Sequence, residues 1–97
     1  MITAVVLISA ERKAIPTLGE ALAGVEGVSE VYSVTGAFDF IAMVRAREHD
    51  ELADIVTRRI GQVPGVTRTD THVAFKMYSR HDLESLFSIG EGSAERP

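Results

Sequence analysis

The chain has 97 residues, enough for one small domain and too few for two with separate cores. Its residues are 45% hydrophobic and 25% charged, as expected of a folded globular protein. The 10 Lys+Arg against 14 Asp+Glu leave a net charge of −4, which argues against a domain that neutralises phosphates and so against direct nucleic-acid binding. No cysteine is present, which excludes a disulfide framework and any thiolate ligand or nucleophile and fits a reducing compartment.

The first apolar run, ITAVVLIS from Ile2 to Ser9, is rich in β-branched residues and reads as a strand with apolar side chains on both faces. It has no basic n-region and is far shorter than the ~20 residues needed to cross a bilayer, so a cytoplasmic chain without a membrane segment is expected. Ile15, Leu18, Leu22 and Val25 then recur at helical spacing, with Pro16 tolerable in the first turn and Gly24 and Gly27 closing the helix. VSEVYSVTG, from Val28 to Gly36, reads as a second strand and DFIAMVRA, from Asp39 to Ala46, as a third, with Gly36 to Phe38 at the tip between them. His49 or Asp50 is the expected cap of a second helix. That helix carries Leu52, Ile55, Val56 and Ile60 on one stripe and Asp54, Arg58 and Arg59 on a solvated one, and it stops at Pro64 and Gly65. A fourth strand is expected from Val66 to about Tyr78.

The order is βαββαβ, with a faint repeat in which a Gly-Val pair, Gly27-Val28 and Gly65-Val66, precedes a strand after each helix. Two right-handed crossovers in one sheet place both helices on the same face, which predicts an α+β, ferredoxin-like sandwich. Ser79 followed by Asp82, then Leu83, Leu86 and Phe87 on one face and Gly90 after them, predicts a short C-terminal helix. The expected division is therefore a domain over 1–79 and a helix with a mobile tail over 80–97.

Two helices cover one sheet face only. Yet Val5 and Leu7 lie opposite Ile2, Ala4, Val6 and Ile8, and Ile41 and Met43 lie opposite Phe40, Ala42 and Val44. An apolar second face predicts a homodimer packed through its sheets.

Four segments, in this order, carry a resemblance: Gly27-Val28, the hairpin VTGAFDF (Val34 to Phe40), VPGV (Val63 to Val66), and TRTDTHVAFK (Thr67 to Lys76). With them the chain resembles, over nearly its full length, the effector-binding RAM domain of the Lrp/AsnC (feast/famine) transcription regulators. Family regulators carry a helix-turn-helix ahead of this domain, whereas here Met1 leads directly into the first strand. The resemblance therefore implies a stand-alone sensing module without its own DNA-binding domain, which modulates transcription by co-assembly with full-length Lrp/AsnC regulators. It also implies a sheet-packed dimer, assembly to octamers, and amino acids or related small molecules bound between dimers. Carried over by position, the ligand-contacting residues are Gly36, Ala37, Phe38 and Asp39 in the hairpin, and Thr69 and Thr71 on the last strand. Ala37 departs from the polar residue common in the family and removes one polar contact.

An α-amino acid needs a carboxylate or carbonyls for its ammonium and N–H or O–H donors for its carboxylate. Asp39 suits the first need, unless it closes the turn by bonding loop amides. Gly36 lets backbone amides approach, and Phe38 offers an apolar contact. Thr69 and Thr71, spaced by two, project from one face of a strand and suit an anion, although threonine is also an ordinary strand residue. His49, His72 and His81 have no metal-binding spacing, no ordered catalytic motif accompanies the Ser, His and Asp residues, and no cofactor is expected. The rival readings are a small cofactor-independent enzyme of the dimeric ferredoxin-like barrel type, which needs an enclosed polar pocket within the subunit, and an ACT-like regulatory module.

Overall fold

The computed structural model describes residues 1–80. Strand β1 (Ile2–Ala10) buries Ala4, Val6 and Ile8 completely on one face and half-buries Val5 and Leu7 on the other. It is flanked on both sides by antiparallel partners, β3 (Phe40–Ala46) and β4 (Val66–Val73), while β2 (Val28–Ser33) pairs with the outer edge of β3. The resulting order, β2-β3-β1-β4, with both crossovers on one side, is the ferredoxin-like arrangement.

The helices supply the other half of the core. A short 3₁₀ turn (Arg12–Ala14) leads into α1 (Ile15–Ala23), with Pro16 in its first turn, where a missing N–H costs nothing. Helix α2 begins at His49–Asp54 and widens into a π-helical stretch over Ile55–Ile60, seen in the 2.8 Å bond from the Gly61 N–H back to the Val56 carbonyl. Leu18 and Leu22 from α1, and Leu52, Ile55 and Ile60 from the second helix, close over Ala4, Val6, Ile8, Phe40, Ala42 and Val44.

The residue at the N-cap of α2 is Glu48, not His49 or Asp50, and it makes no side-chain cap bond. The start is held instead by Glu51, whose Oε1 accepts from the Arg47 N–H at 2.7 Å, with Asp50 and Glu51 both facing the positive end of the helix dipole. Arg58 is exposed beside Asp54 at 3.6 Å, as a solvated face requires. Arg59 is not merely solvated: it donates to Asp54 Oδ2 at 3.1 Å and to the Glu26 carbonyl at 2.8 Å, tying the second helix to the turn before β2.

The faint repeat is a repeated turn. Val25 to Val28 and Val63 to Val66 each close an i to i+3 bond of 3.1 Å, and Gly27 and Gly65 hold φ of 100° and 102°. Each glycine also sits against the opposite helix, since a Cβ on Gly27 would lie 2.4 Å from Ile55 Cδ1 and one on Gly65 would lie 2.5 Å from the Ala14 Cβ. A side chain at either position meets both backbone strain and a clash.

Three strand ends differ from expectation. β4 stops at Val73, which pairs with Ala4, and Ala74 donates the last bond, 2.9 Å to the Thr3 carbonyl, while β1 runs on through Thr3 and Ile2 paired with β3 alone. β2 stops at Ser33 and β3 starts at Phe40, so the connecting hairpin spans 34–39. Beyond β4, Phe75, Met77 and Tyr78 are exposed. The expected C-terminal helix and tail fall on 81–97, outside the described residues. Among the described residues no helix is long and apolar enough to cross a membrane.

Candidate functional site

The hairpin is positioned by backbone bonds. The Val34 N–H donates to the Asp39 carbonyl at 3.0 Å, and the Asp39 N–H donates to the Ile8 carbonyl at 2.9 Å. The Asp39 side chain adds a third tie, its Oδ2 accepting from the Ala10 N–H at 2.8 Å. A register shift between Ser9 and Ala10 sets that amide apart from the regular β1–β4 ladder, and the carboxylate takes it up. The turn-closing role open to Asp39 is thus realised, while its Oδ1 has no hydrogen-bond partner among the described residues. Gly36 has a φ of 109°, as a tip requiring positive φ demands, and a Cβ there would meet nothing within 4 Å.

Phe38 turns over the open face of the sheet. With Ala37, Ser33, Val34 and Thr35 it walls a cleft of about 580 Å³, floored by Leu7 of β1 and Ile41 of β3. The guanidinium of Arg68 lies 5.6 Å from the centroid of the Phe38 ring, a cation–π distance. The structure therefore brings Ala37 and Phe38 into one concave site, while Gly36 and Asp39, their neighbours in the chain, do not line it.

Thr69 and Thr71 are placed elsewhere. They pair with Ile8 and Val6, so their side chains lie on the helix-facing side of the sheet, while the cleft floor lies on the other. β1 also stands between the hairpin and β4, and the long Arg68 side chain, on the other sheet face from the threonines, is what reaches the hairpin. Both threonines are half-buried, and among the described residues neither hydroxyl has a hydrogen-bond partner. Within one chain the two expected segments do not converge.

Arg68, beside Phe38, is a neighbour of the cleft that sequence reasoning passed over, although the period of two on β4 separates Thr69 and Thr71 from Arg68, Asp70 and His72. His72 Nε2 lies 3.5 Å from Asp70 Oδ1 on that open side. Across the sheet on β2, Tyr32 has its phenol pKa raised above the ordinary 10.0, first by a hydrogen bond to Glu30 and next by the charge of that carboxylate. Among the described residues no three His, Asp or Glu side chains are grouped closely enough to hold a metal ion.

A four-stranded sheet with two helices on one face and a hairpin cleft on the other defines a small α+β domain of the ferredoxin-like class. Residues 3–83 match the family profile described as the Lrp/AsnC ligand binding domain, and the chain belongs to that family. It is 33% identical over 76 residues to an uncharacterized HTH-type transcriptional regulator of Pyrococcus furiosus, an alignment covering 78% of this chain and 51% of that one. The chain thus spans about half the length of the curated regulators it matches over this range. A crystal structure from Thermus thermophilus is 49% identical and superimposes with a TM-score of 0.76, covering 82% of this chain and 100% of that one. A feast or famine regulatory protein from M. tuberculosis, solved in complex with L-methionine, is 26% identical with a TM-score of 0.67, covering 82% of this chain and 54% of that one. The family's HTH-type members are named as transcriptional regulators, which points away from an enzyme.

Proposed function

We propose that this chain is an oligomeric amino-acid-sensing module that modulates transcription in the cytoplasm without contacting DNA itself, by co-assembling with full-length Lrp/AsnC regulators. The observation that carries the reading is the cleft between Phe38 and the Leu7–Ile41 floor, which opens on the one sheet face that no helix covers. A second copy packed on that face covers Val5 and Met43 beside the cleft and closes over its Leu7–Ile41 end, and ring assembly to an octamer places further subunits against the hairpins. In that arrangement Gly36, Ala37, Phe38 and Asp39 of one subunit meet the Thr69 and Thr71 face of another, which accounts for their separation within one chain. The L-methionine complex of the M. tuberculosis relative supports an amino acid as the effector.

A cofactor-independent enzyme of the same fold needs an enclosed polar pocket between sheet and helices. Among the described residues no polar or charged residue is buried, and the cleft of about 500 Å³ between α1 and the β2–β3 edge, lined in part by Glu20 and Ser33, is open to solvent and not enclosed. The net charge of −4 supports a role without direct DNA contact.

The test is a thermal-shift screen of the standard amino acids read together with light scattering. A ligand present at about a hundred times its Kd stabilises by about 2.7 kcal/mol, a readily measured shift. The expected result is a mass above that of one chain and a raised midpoint with at least one amino acid. A monomer that responds to none of them overturns the proposal.

A further inference from the structure

We propose that residues 74–78 form an arm exchanged between two copies of this chain, with Phe75 and Met77 of each copy seated in a groove on the open sheet face of the other. This rests on the reading of that face as the place where two copies meet.

The arm is a strand by its sequence and not by its bonds. Val73, Phe75 and Met77 alternate with His72, Ala74 and Lys76, yet after the bond from the Ala74 N–H to the Thr3 carbonyl no backbone hydrogen bond joins residues 75–78 to any other described residue. Strand-like backbone without a partner in its own chain is suited to pair in another. The side chains point the same way. Phe75, Met77 and Tyr78 are exposed, and the other large hydrophobic side chains exposed among the described residues, Tyr32 apart, are Val73 just before the arm and Met1 in the groove beside it. Apolar side chains gathered in this way mark an association site. Tyr78 is engaged by Lys76, whose ammonium lies 5.3 Å from its ring centroid, which leaves Phe75 and Met77 as the free anchors.

The groove indicates what fills it. It encloses about 340 Å³ between the arm and the open face, where Met1, Thr3, Val5, Met43 and Arg45 line it together with the arm itself. Because Phe75 and Met77 stand in its wall, they cannot also fill it, and apolar side chains from outside are needed. A second copy brings the same two side chains. One two-fold rotation then seats each arm in the other copy's groove and leaves neither arm nor groove open, which closes a dimer and does not propagate a filament. The groove also continues the apolar centre of the open face, since Val5 and Met43, paired across β1 and β3, belong to both. Area argues likewise. Four strands of about seven residues cover roughly 440 Å² in plan, whereas a standard interface buries ~800 Å² of accessible surface per partner, and the two arms extend the contact beyond the sheet.

The test is light scattering and disulfide trapping on the full chain, which has no cysteine of its own. Phe75→Ser combined with Met77→Ser is expected to weaken association between chains about tenfold or more. The circular dichroism spectrum should be unchanged, because both side chains are exposed within one chain. Lys76→Cys and Thr3→Cys, each at a residue lining the groove, are then purified separately, mixed and oxidised. With the two cysteines on different molecules, an arm lying over another copy's groove is what brings them within bonding distance, and a linked pair containing one of each is the expected product. If wild type associates and the serine variant associates as tightly, the sheet-packed dimer stands and this inference alone falls. Weakened association without the mixed pair means that the groove is filled otherwise, residues 81–97 of the same chain included, and equally overturns the exchange. A wild type that has the mass of one chain at micromolar concentration overturns both the exchange and the sheet-packed dimer.

Discussion

The carboxylate of Asp39 accepts a 2.8 Å hydrogen bond from the backbone N–H of Ala10, a residue 29 positions earlier in the chain. With the Asp39 N–H bonded to the Ile8 carbonyl at 2.9 Å, one residue fastens the hairpin to the end of β1 through both its backbone and its side chain. The hairpin is therefore held against the central strand of the sheet, which is how Phe38, its preceding neighbour, becomes a fixed wall of the cleft.

Asp39→Asn keeps an oxygen that accepts from the Ala10 N–H, so the fold should survive with a nearly unchanged unfolding midpoint. The lost charge should lower affinity for an amino acid about tenfold, since a hydrogen bond to a charged group is worth ~1.5–3 kcal/mol. Asp39→Ala removes the acceptor as well and should cost about 1–3 kcal/mol of stability for the half-buried amide left unpaired. Calorimetry and denaturant titration on the two variants separate the roles. Wild-type affinity in Asp39→Asn would leave the carboxylate as a turn residue only.

The three positive-φ glycines should respond unequally to alanine. Gly36→Ala meets only backbone strain, of roughly 1–2 kcal/mol, because nothing lies within 4 Å of the new Cβ. Gly27→Ala adds a clash with Ile55 Cδ1 at 2.4 Å and Gly65→Ala one with the Ala14 Cβ at 2.5 Å, both inside the packed helix–sheet layer. Denaturant midpoints should fall least for Gly36→Ala. Equal losses at all three would show that the backbone, not the packing against the opposite helix, sets the cost.

Much of this was legible because it is local. The 3.6-residue stripe of Leu18 and Leu22, the alternation in β1, and the Gly-Val pairs each depend on neighbours in sequence, and together they fix the βαββαβ order. What escaped depends on distant partners. The end of β4 is set by where it leaves β1, after the Val73–Ala4 pair, so the apolar alternation that continues through Phe75 and Met77 overstates the strand. Arg59 looks like an ordinary surface cation until the Glu26 carbonyl is placed beside it. At the candidate site the hairpin segment carries Ala37 and Phe38 into the cleft, but Thr69 and Thr71 carry no sign in the sequence of which sheet face they occupy relative to Phe38. That assignment needs the register of β4 on β1, where Thr69 pairs with Ile8 and Arg68 with Ser9.

The Tyr32 phenol should titrate above its ordinary value of 10.0, chiefly because its hydroxyl bonds to the Glu30 carboxylate. A pKa raised in the folded state means that the associated stability is fully present below the unfolded pKa and is lost as pH rises through the folded one. The loss is confined to alkaline pH, and at neutrality the contribution is fully present. Glu30→Gln should bring the Tyr32 transition, followed by phenolate absorbance in a Tyr78→Phe background, back toward 10.0. A transition that stays where it was would show that the Glu30 carboxylate is not the cause.

Val5 is the position at which to break self-association. It lies half-buried at the middle of the open sheet face, between Met43 on β3 and His72 on β4, and the helices and core lie on the other side. In a sheet-to-sheet dimer, Val5→Asp puts a carboxylate into the apolar centre of the interface. Removing a charge from water without a partner costs several kcal/mol, enough to dissociate an interface of ordinary size at micromolar concentration. In a separated subunit the same side chain faces solvent and touches none of the buried residues, so the circular dichroism of the fold should be retained. The expected outcome is a light-scattering mass that falls to that of one chain and an unfolding midpoint that no longer depends on protein concentration. An unchanged oligomeric mass in Val5→Asp would show that the subunits associate through some other surface, and the cleft at the hairpin would then not lie beside the dimer interface.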